Sequence, residues 1–137
     1  MKTLHSESLV VQALNYAVRS SNAAATGVAV DTAVYGNNFR DVKFIVSAAT
    51  ITDGTHSITV EESDASGSSY GAIEAWRIQG TLPAIVAADD NKPFEFGVRP
   101  TKRYVRLTIT DAGSTSGGAV SAVAVLGNGG NNPVARS

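Results

Sequence analysis

The 137-residue sequence predicts an all-β, single-domain antiparallel β-sandwich of jelly-roll type, and three features carry that prediction. Of the 39 apolar side chains larger than Ala, Val and Ile supply 23, whereas Leu and Met supply only 7. β-branched side chains lose rotamer freedom in a helix and pack well on a pleated surface. Apolar residues recur at every second position over much of the chain, and turns rich in Gly, Ser, Asn and Asp separate the alternating runs. No helical pattern of about 10–15 residues recurs between those runs, which argues against a parallel βαβ sheet.

Taken in order, residues 1–22 read as an arm or a first strand. Val10, Leu14 and Ala17/Val18 fit a helix, but Val10-Gln12-Leu14-Tyr16-Val18 alternates equally well, and the strand or extended form is preferred. Val28, Val30, Thr32 and Val34 predict a strand ending at Gly36, and Val42, Phe44 and Val46 predict the next. Asp53-Gly54 tolerates the positive φ of a tight hairpin turn, so a hairpin is expected there. His56, Ile58 and Val60 then share one strand face, up to the loop Ser63–Ser69.

Tyr70 to Gln79 reads as a helical turn or an irregular strand. Phe94/Phe96/Val98 and Val105/Leu107/Ile109 alternate cleanly, and Ala119 to Leu126 suits a strand covered on both faces. The sandwich thus occupies residues 23–126, with seven or eight short strands. Residues 127–137, rich in Gly and Asn, read as a flexible or partner-ordered tail.

Composition narrows function by exclusion. No cysteine means no disulfide, thiol nucleophile or thiolate metal site. A formal net charge of -1 argues against a nucleic-acid binder, and no apolar run approaches the ~20 residues of a membrane helix. Glu7, Gln12 and Asn15 interrupt the stretch around Leu9-Val10-Val11, which therefore does not read as a signal peptide.

Candidate chemistry is sparse. His5 and His56 are the two histidines, and neither has a sequence partner completing a triad or a metal site, so structural or solvent-facing roles are expected. Glu61-Glu62-Ser63-Asp64 and Asp89-Asp90 lack the spacing of an EF-hand loop and read as solvated loop charge. Glu61 and Glu62, adjacent on a strand, point to opposite faces. Trp76, with Tyr70, could stack on a sugar, but a lone Trp in a β domain is more often core. Neither a catalytic residue nor a cofactor or metal site is expected.

Arg99, Lys102, Arg103 and Arg106 form the one basic concentration, suited to an acidic partner surface.

Several stretches resemble a family of head decoration, or capsid cement, proteins of tailed bacteriophages. They are Ile51-Thr52-Asp53-Gly54-Thr55-His56, Glu62-Ser63-Asp64 before a Gly/Ser loop, Lys102-Arg103-Tyr104-Val105-Arg106, and the Val-rich segment leading to Asn132-Pro133-Val134-Ala135. The likeness runs from about Val28 to the end, and the second stretch departs from the family pattern in placing Ala65-Ser66 ahead of Gly67.

The resemblance implies a structural virion protein on the outer surface of a tailed-phage capsid, made in the host bacterial cytoplasm. It would bridge major capsid subunits, associate with itself as a dimer or trimer, and carry no catalytic residues. The expected contacts are Arg99, Lys102, Arg103, Arg106, Asn128, Asn131 and Asn132, together with the N-terminal arm. Two rivals remain. A carbohydrate-binding module requires exposed aromatics on one face, with Trp76 and Tyr70 the candidates, or a bound Ca²⁺, and a small hydrolase requires a pocket joining His56 to a carboxylate.

The 20 Ala residues leave a thin core for this length, as in a domain that completes its burial against neighbours.

Overall fold

The alternation of large apolar and polar side chains becomes strands with one face shut off from water. In β4 (Phe39–Ile51), Val42, Phe44, Val46 and Ala48 are buried while Lys43 and Ser47 are exposed. The computed structural model describes residues 2–136 and resolves a short helix, α1 (Leu4–Glu7), and eleven strands. Besides β4 these are β1 (Leu9–Arg19), β2 (Ala24–Thr26), β3 (Val30–Asp31), β5 (Thr55–Ser63), β6 (Gly71–Ala72), β7 (Ile78–Gln79), β8 (Ala84–Ile85), β9 (Pro93–Val98), β10 (Tyr104–Ala112) and β11 (Gly118–Gly129).

They form two packed antiparallel sheets. The first runs β1-β11-β4-β9-β7. The second runs β2-β10-β5-β6, with β3 also on β10 and β8 also on β5. The protein is a jelly-roll-like β-sandwich. Between the sheets lie Phe44, Val46, Phe96, Ile58, Leu107, Ile109, Val120 and Leu126, with Phe44 and Phe96 stacked at a centroid distance of 5.4 Å.

From β4 onward, successive long strands change sheet, and this corrects one expectation. Asp53-Gly54 makes a turn, but β4 and β5 belong to different sheets, so it is an arch across the sandwich and not a hairpin. The Asp53 carboxylate accepts backbone N–H bonds from Thr115, Ser116 and Gly117, which ties this arch to the one between β10 and β11. Gly117 has φ +73, and a Cβ there would fall 1.6 Å from the Arg19 carbonyl oxygen, so the end of β1 packs against the second arch only because the position is glycine.

Two further readings change, and a third is met in both its forms. The Val28–Gly36 segment is strand only at Val30–Asp31. Its Asp31 side chain accepts from the Ala33 N–H, turning the chain, and Val34–Gly36 follows as a 3-10 turn. Tyr70 to Gln79 is both of the forms expected, with a 3-10 turn at Ala75–Arg77 between β6 and β7. In β11 the inner residues Ala122, Ala124 and Leu126 are buried, but Ser121, Val123 and Val125 are only half-buried, so its outer face is not covered.

The tail differs as well. β11 continues through Asn128 to Gly129, and Val134 is buried with its N–H on the Ser6 carbonyl. Arg136 donates to the His5 and Ser8 carbonyls. The two ends therefore pack against each other, because Val134 offers a side chain that the Gly/Asn composition had obscured. α1 itself is capped reciprocally by Thr3 and Ser6. Among the described residues no helix is long and apolar enough to cross a membrane.

Candidate partner-binding surface

Two groups of residues far apart in sequence meet around the segment that connects β3 to β4. Arg103, just before β10, places Nε and Nη2 each 2.9 Å from the Asp31 carboxylate, and its carbonyl accepts from the Thr32 N–H and hydroxyl. The guanidinium holds the Asp31 carboxyl below its ordinary range. Arg99 pairs with Asp41 at 3.3 Å, and both of these side chains remain largely open to solvent.

From the other side, β11 pairs Gly129 with Phe39, and the chain beyond it reaches Asn37. That buried amide donates to the Asn131 carbonyl and accepts the Asn131 and Asn38 N–H groups. The Gly130 N–H donates to the Asn38 carbonyl. Arg99, Lys102, Arg103, Asn128, Asn131 and Asn132 are thus collected at one end of the sandwich, all of them exposed. Arg40, which sequence reasoning passed over, is exposed in the same neighbourhood. Only the register of β4 against β11 and β9 brings it there.

Arg106 is the expected contact that the structure places elsewhere. It lies on the outer face of the second sheet, half-buried, with Nε 2.7 Å from Glu61 and its guanidinium 3.7 Å from the Tyr70 ring centroid. An open groove of about 640 Å³ adjoins the collected end. Gly97 and Gly127 belong to its lining, with Lys43, Arg99 and Asn128 among its other residues. Arg99 and Asn128 join the groove to that end.

The buried polar clusters are a separate matter. Glu62 is not a solvated loop charge: its two carboxylate oxygens accept from Arg77 at 2.6 and 3.1 Å and from the Thr101 N–H and hydroxyl. Burial pushes the Glu62 carboxyl up, but the Arg77 and Thr101 bonds outweigh it and the net shift is downward. Arg77 also bonds Glu74 and the Arg99 carbonyl, and these carboxylates hold its pKa up. Glu61, one residue away, faces outward to Arg106, as strand alternation requires.

His56 is fully buried, with Nδ1 2.6 Å from Asp111 and Nε2 3.2 Å from the Asp53 carbonyl. Arg19 lies 3.7 Å from the other Asp111 oxygen. The carboxylate that a hydrolase would need beside His56 is present, but the ring has no exposed surface through which a substrate could reach it. The cluster pins the Asp53 arch to β10. Sequence reasoning missed Asp111 as the partner because it lies 55 positions away, across a sheet register.

Trp76 overturns the core expectation. It is 81% exposed on the 3-10 turn before β7, because Ile73 and the Arg77 guanidinium take the inward positions there. Tyr70 is half-buried beneath Arg106. Among the described residues no group of three His, Cys, Asp or Glu side chains could hold a metal ion.

No protein-family model matches the sequence, and no curated protein matches it. Among solved structures, a chain in the structure of infectious bursal disease virus Gx strain is similar at 13% identity and a TM-score of 0.47. That alignment covers 92% of this chain and 34% of the viral one, so this protein spans about a third of that chain's length.

Proposed function

We propose that the protein is a structural virion component that binds the outer surface of a tailed-phage capsid and bridges major capsid subunits, without catalysis. One observation carries the reading: of the residues expected to make contacts, Arg99, Lys102, Arg103, Asn128, Asn131 and Asn132, though not Arg106, converge on a single end of the sandwich, where all six are exposed. Surface ion pairs such as Arg103–Asp31 are worth little by themselves and exchange readily for a partner's carboxylates. Exposed Asn amides add paired donors and acceptors for a partner's backbone. Many symmetric copies, each with a modest interface, would stabilise an assembled shell by mass action. The same reading places the protein on the virion exterior, free of nucleic acid and membrane.

The test is co-sedimentation with purified capsids of the encoding phage. Saturable binding at micromolar concentration, weakened by Lys102→Glu, is the expected result, and no binding to expanded shells overturns the proposal.

The exposure of Trp76 favours a second reading, a carbohydrate-binding module on a phage head or tail. Quenching or a blue shift of the single tryptophan's fluorescence by host-surface glycans would support it. A flat titration would remove it.

A further inference from the structure

We propose that a pocket at the collected end of the sandwich receives one carboxylate side chain of a protein partner. The pocket is a concavity of about 280 Å³. It opens between the β3–β4 connection, the start of β4 and the loop that joins β9 to β10. The class of ligand follows from the pocket's own lining, and only the bearer of the carboxylate, a capsid subunit, rests on the capsid reading.

Charge selects the sign of the ligand. Arg40, Lys102 and Arg103 line the pocket, and none of its lining residues is acidic. Asp31 neutralises Arg103, and Asp41 neutralises the neighbouring Arg99. Glu62, which the loop reaches through Thr101, is matched by Arg77. Among the described residues no carboxylate pairs with Arg40 or Lys102, and both side chains are exposed. Two unmatched cations at one concavity leave a local positive excess in a chain whose net charge is -1. The larger groove nearby has no such excess, because Glu7, Asp41 and Glu95 offset Lys43 and Arg99 there.

Hydrogen-bonding capacity agrees with the charge. Nε and Nη2 of Arg103 go to Asp31, which leaves Nη1 over. The Thr32 and Thr101 hydroxyls already donate, to the Arg103 carbonyl and to Glu62. The backbone of Asn38 is engaged by Asn37 and Gly130, but its side-chain amide is not. The remaining side-chain donors thus belong to Arg40, Lys102, Arg103 and Asn38. Donors of this kind bind an ionised acceptor more strongly than a neutral one.

The frame is fixed before any ligand arrives. Thr101 is held on Glu62 by its N–H and hydroxyl, and the Arg103 carbonyl accepts from the Thr32 N–H and hydroxyl. The Phe39 N–H bonds the Thr32 carbonyl. Such preorganisation lowers the ordering cost of binding. The volume falls just below the ~300–1,000 Å³ of pockets for drug-sized ligands, so it suits one small head group. Asp31, on the shared guanidinium, repels the second charge that a phosphate carries near neutral pH, and a carboxylate brings only one.

The test is a titration of the ¹⁵N-labelled full chain, at low salt, with a capped tripeptide bearing a central glutamate. The amide resonances of Asn38, Arg40, Lys102 and Arg103 should shift and saturate in the millimolar range, and the glutamine counterpart should leave them still. Arg40→Gln and Lys102→Gln should each weaken binding about threefold, whereas Lys92→Gln, outside the pocket, should not. All three positions are exposed, so melting temperatures should hold. No saturable shift up to about 20 mM overturns the proposal, as does an equal response to the glutamine peptide. Tighter binding of inorganic phosphate overturns the choice of a carboxylate. A chain that sediments with shells but ignores the peptide loses this inference and keeps the capsid reading. One that binds the peptide but no shell keeps the pocket and loses the capsid reading.

Discussion

The two outer faces of the sandwich are built on the same pleat from side chains of nearly the same shape, and they differ by a hydroxyl. On the second sheet, register aligns Thr26, Thr108 and Thr59 in one row, with Thr110 beside Ser57 in the next. On the first sheet, the corresponding surface carries Val10, Val18, Val123 and Val125. Both sets are β-branched and equally suited to a strand. The Thr face exchanges hydrogen bonds with water and internally, as where Glu61 accepts from both Arg106 and Thr108. The Val face can do neither. Strand formation is thus indifferent to the choice between Thr and Val, and the choice sets only how polar each exposed face is.

If stability resides between the sheets, and the faces decide only association, substitutions should sort accordingly. Phe44→Ala removes a fully buried ring stacked on Phe96 and should cost about 3–5 kcal/mol in a denaturant titration. A loss below about 1 kcal/mol would mean the core repacks and the distinction between interior and face is weak. Glu62→Ala leaves Arg77 buried without its main partner and should cost about 3 kcal/mol.

Acidification probes the same cluster more gently. The Glu62 carboxyl is held below its ordinary value of 4.5, so its contribution is present above that value in the unfolded chain and is lost as pH falls through the lower folded value. Asp31 and Asp53 are lowered as well and act in the same direction. The melting temperature should therefore fall as pH drops below about 4.5, with a shallower fall in Glu62→Gln. An identical acid profile in that variant would remove Glu62 from the account.

The smallest stability effects belong to the faces. Thr59→Val and Val18→Thr, on opposite sides, should each change stability by less than about 0.5 kcal/mol. Their association behaviour should diverge: light scattering at high concentration rises for the first and falls for the second. Equal scattering from both would erase the contrast between the faces.

Much of this architecture is legible in the residues. The β4, β9 and β10 strands follow from strict alternation of Val, Phe, Ile and Leu, because period-2 burial is a local property of an extended chain. The opposed directions of Glu61 and Glu62 follow from the same rule. The collected end is legible only in part. Its Arg and Asn residues stand out by composition, but their meeting depends on Asn37 reaching Asn131 across 94 positions and on Arg103 reaching Asp31 across 72.

By itself, then, the sequence determined that the chain is all-β and where most of its long strands run, since side-chain branching and alternation act within a few residues. Tertiary structure alone decided which sheet each strand joins, so that Asp53-Gly54 became an arch. It also decided that His56 and Glu62 are buried in polar clusters, that Val134 tucks the tail against α1, and that Trp76 stands in solvent. A buried charge is tolerated only where distant partners satisfy it, and a large apolar side chain is exposed only where neighbours already fill the interior. Both conditions are set by contacts between residues tens of positions apart.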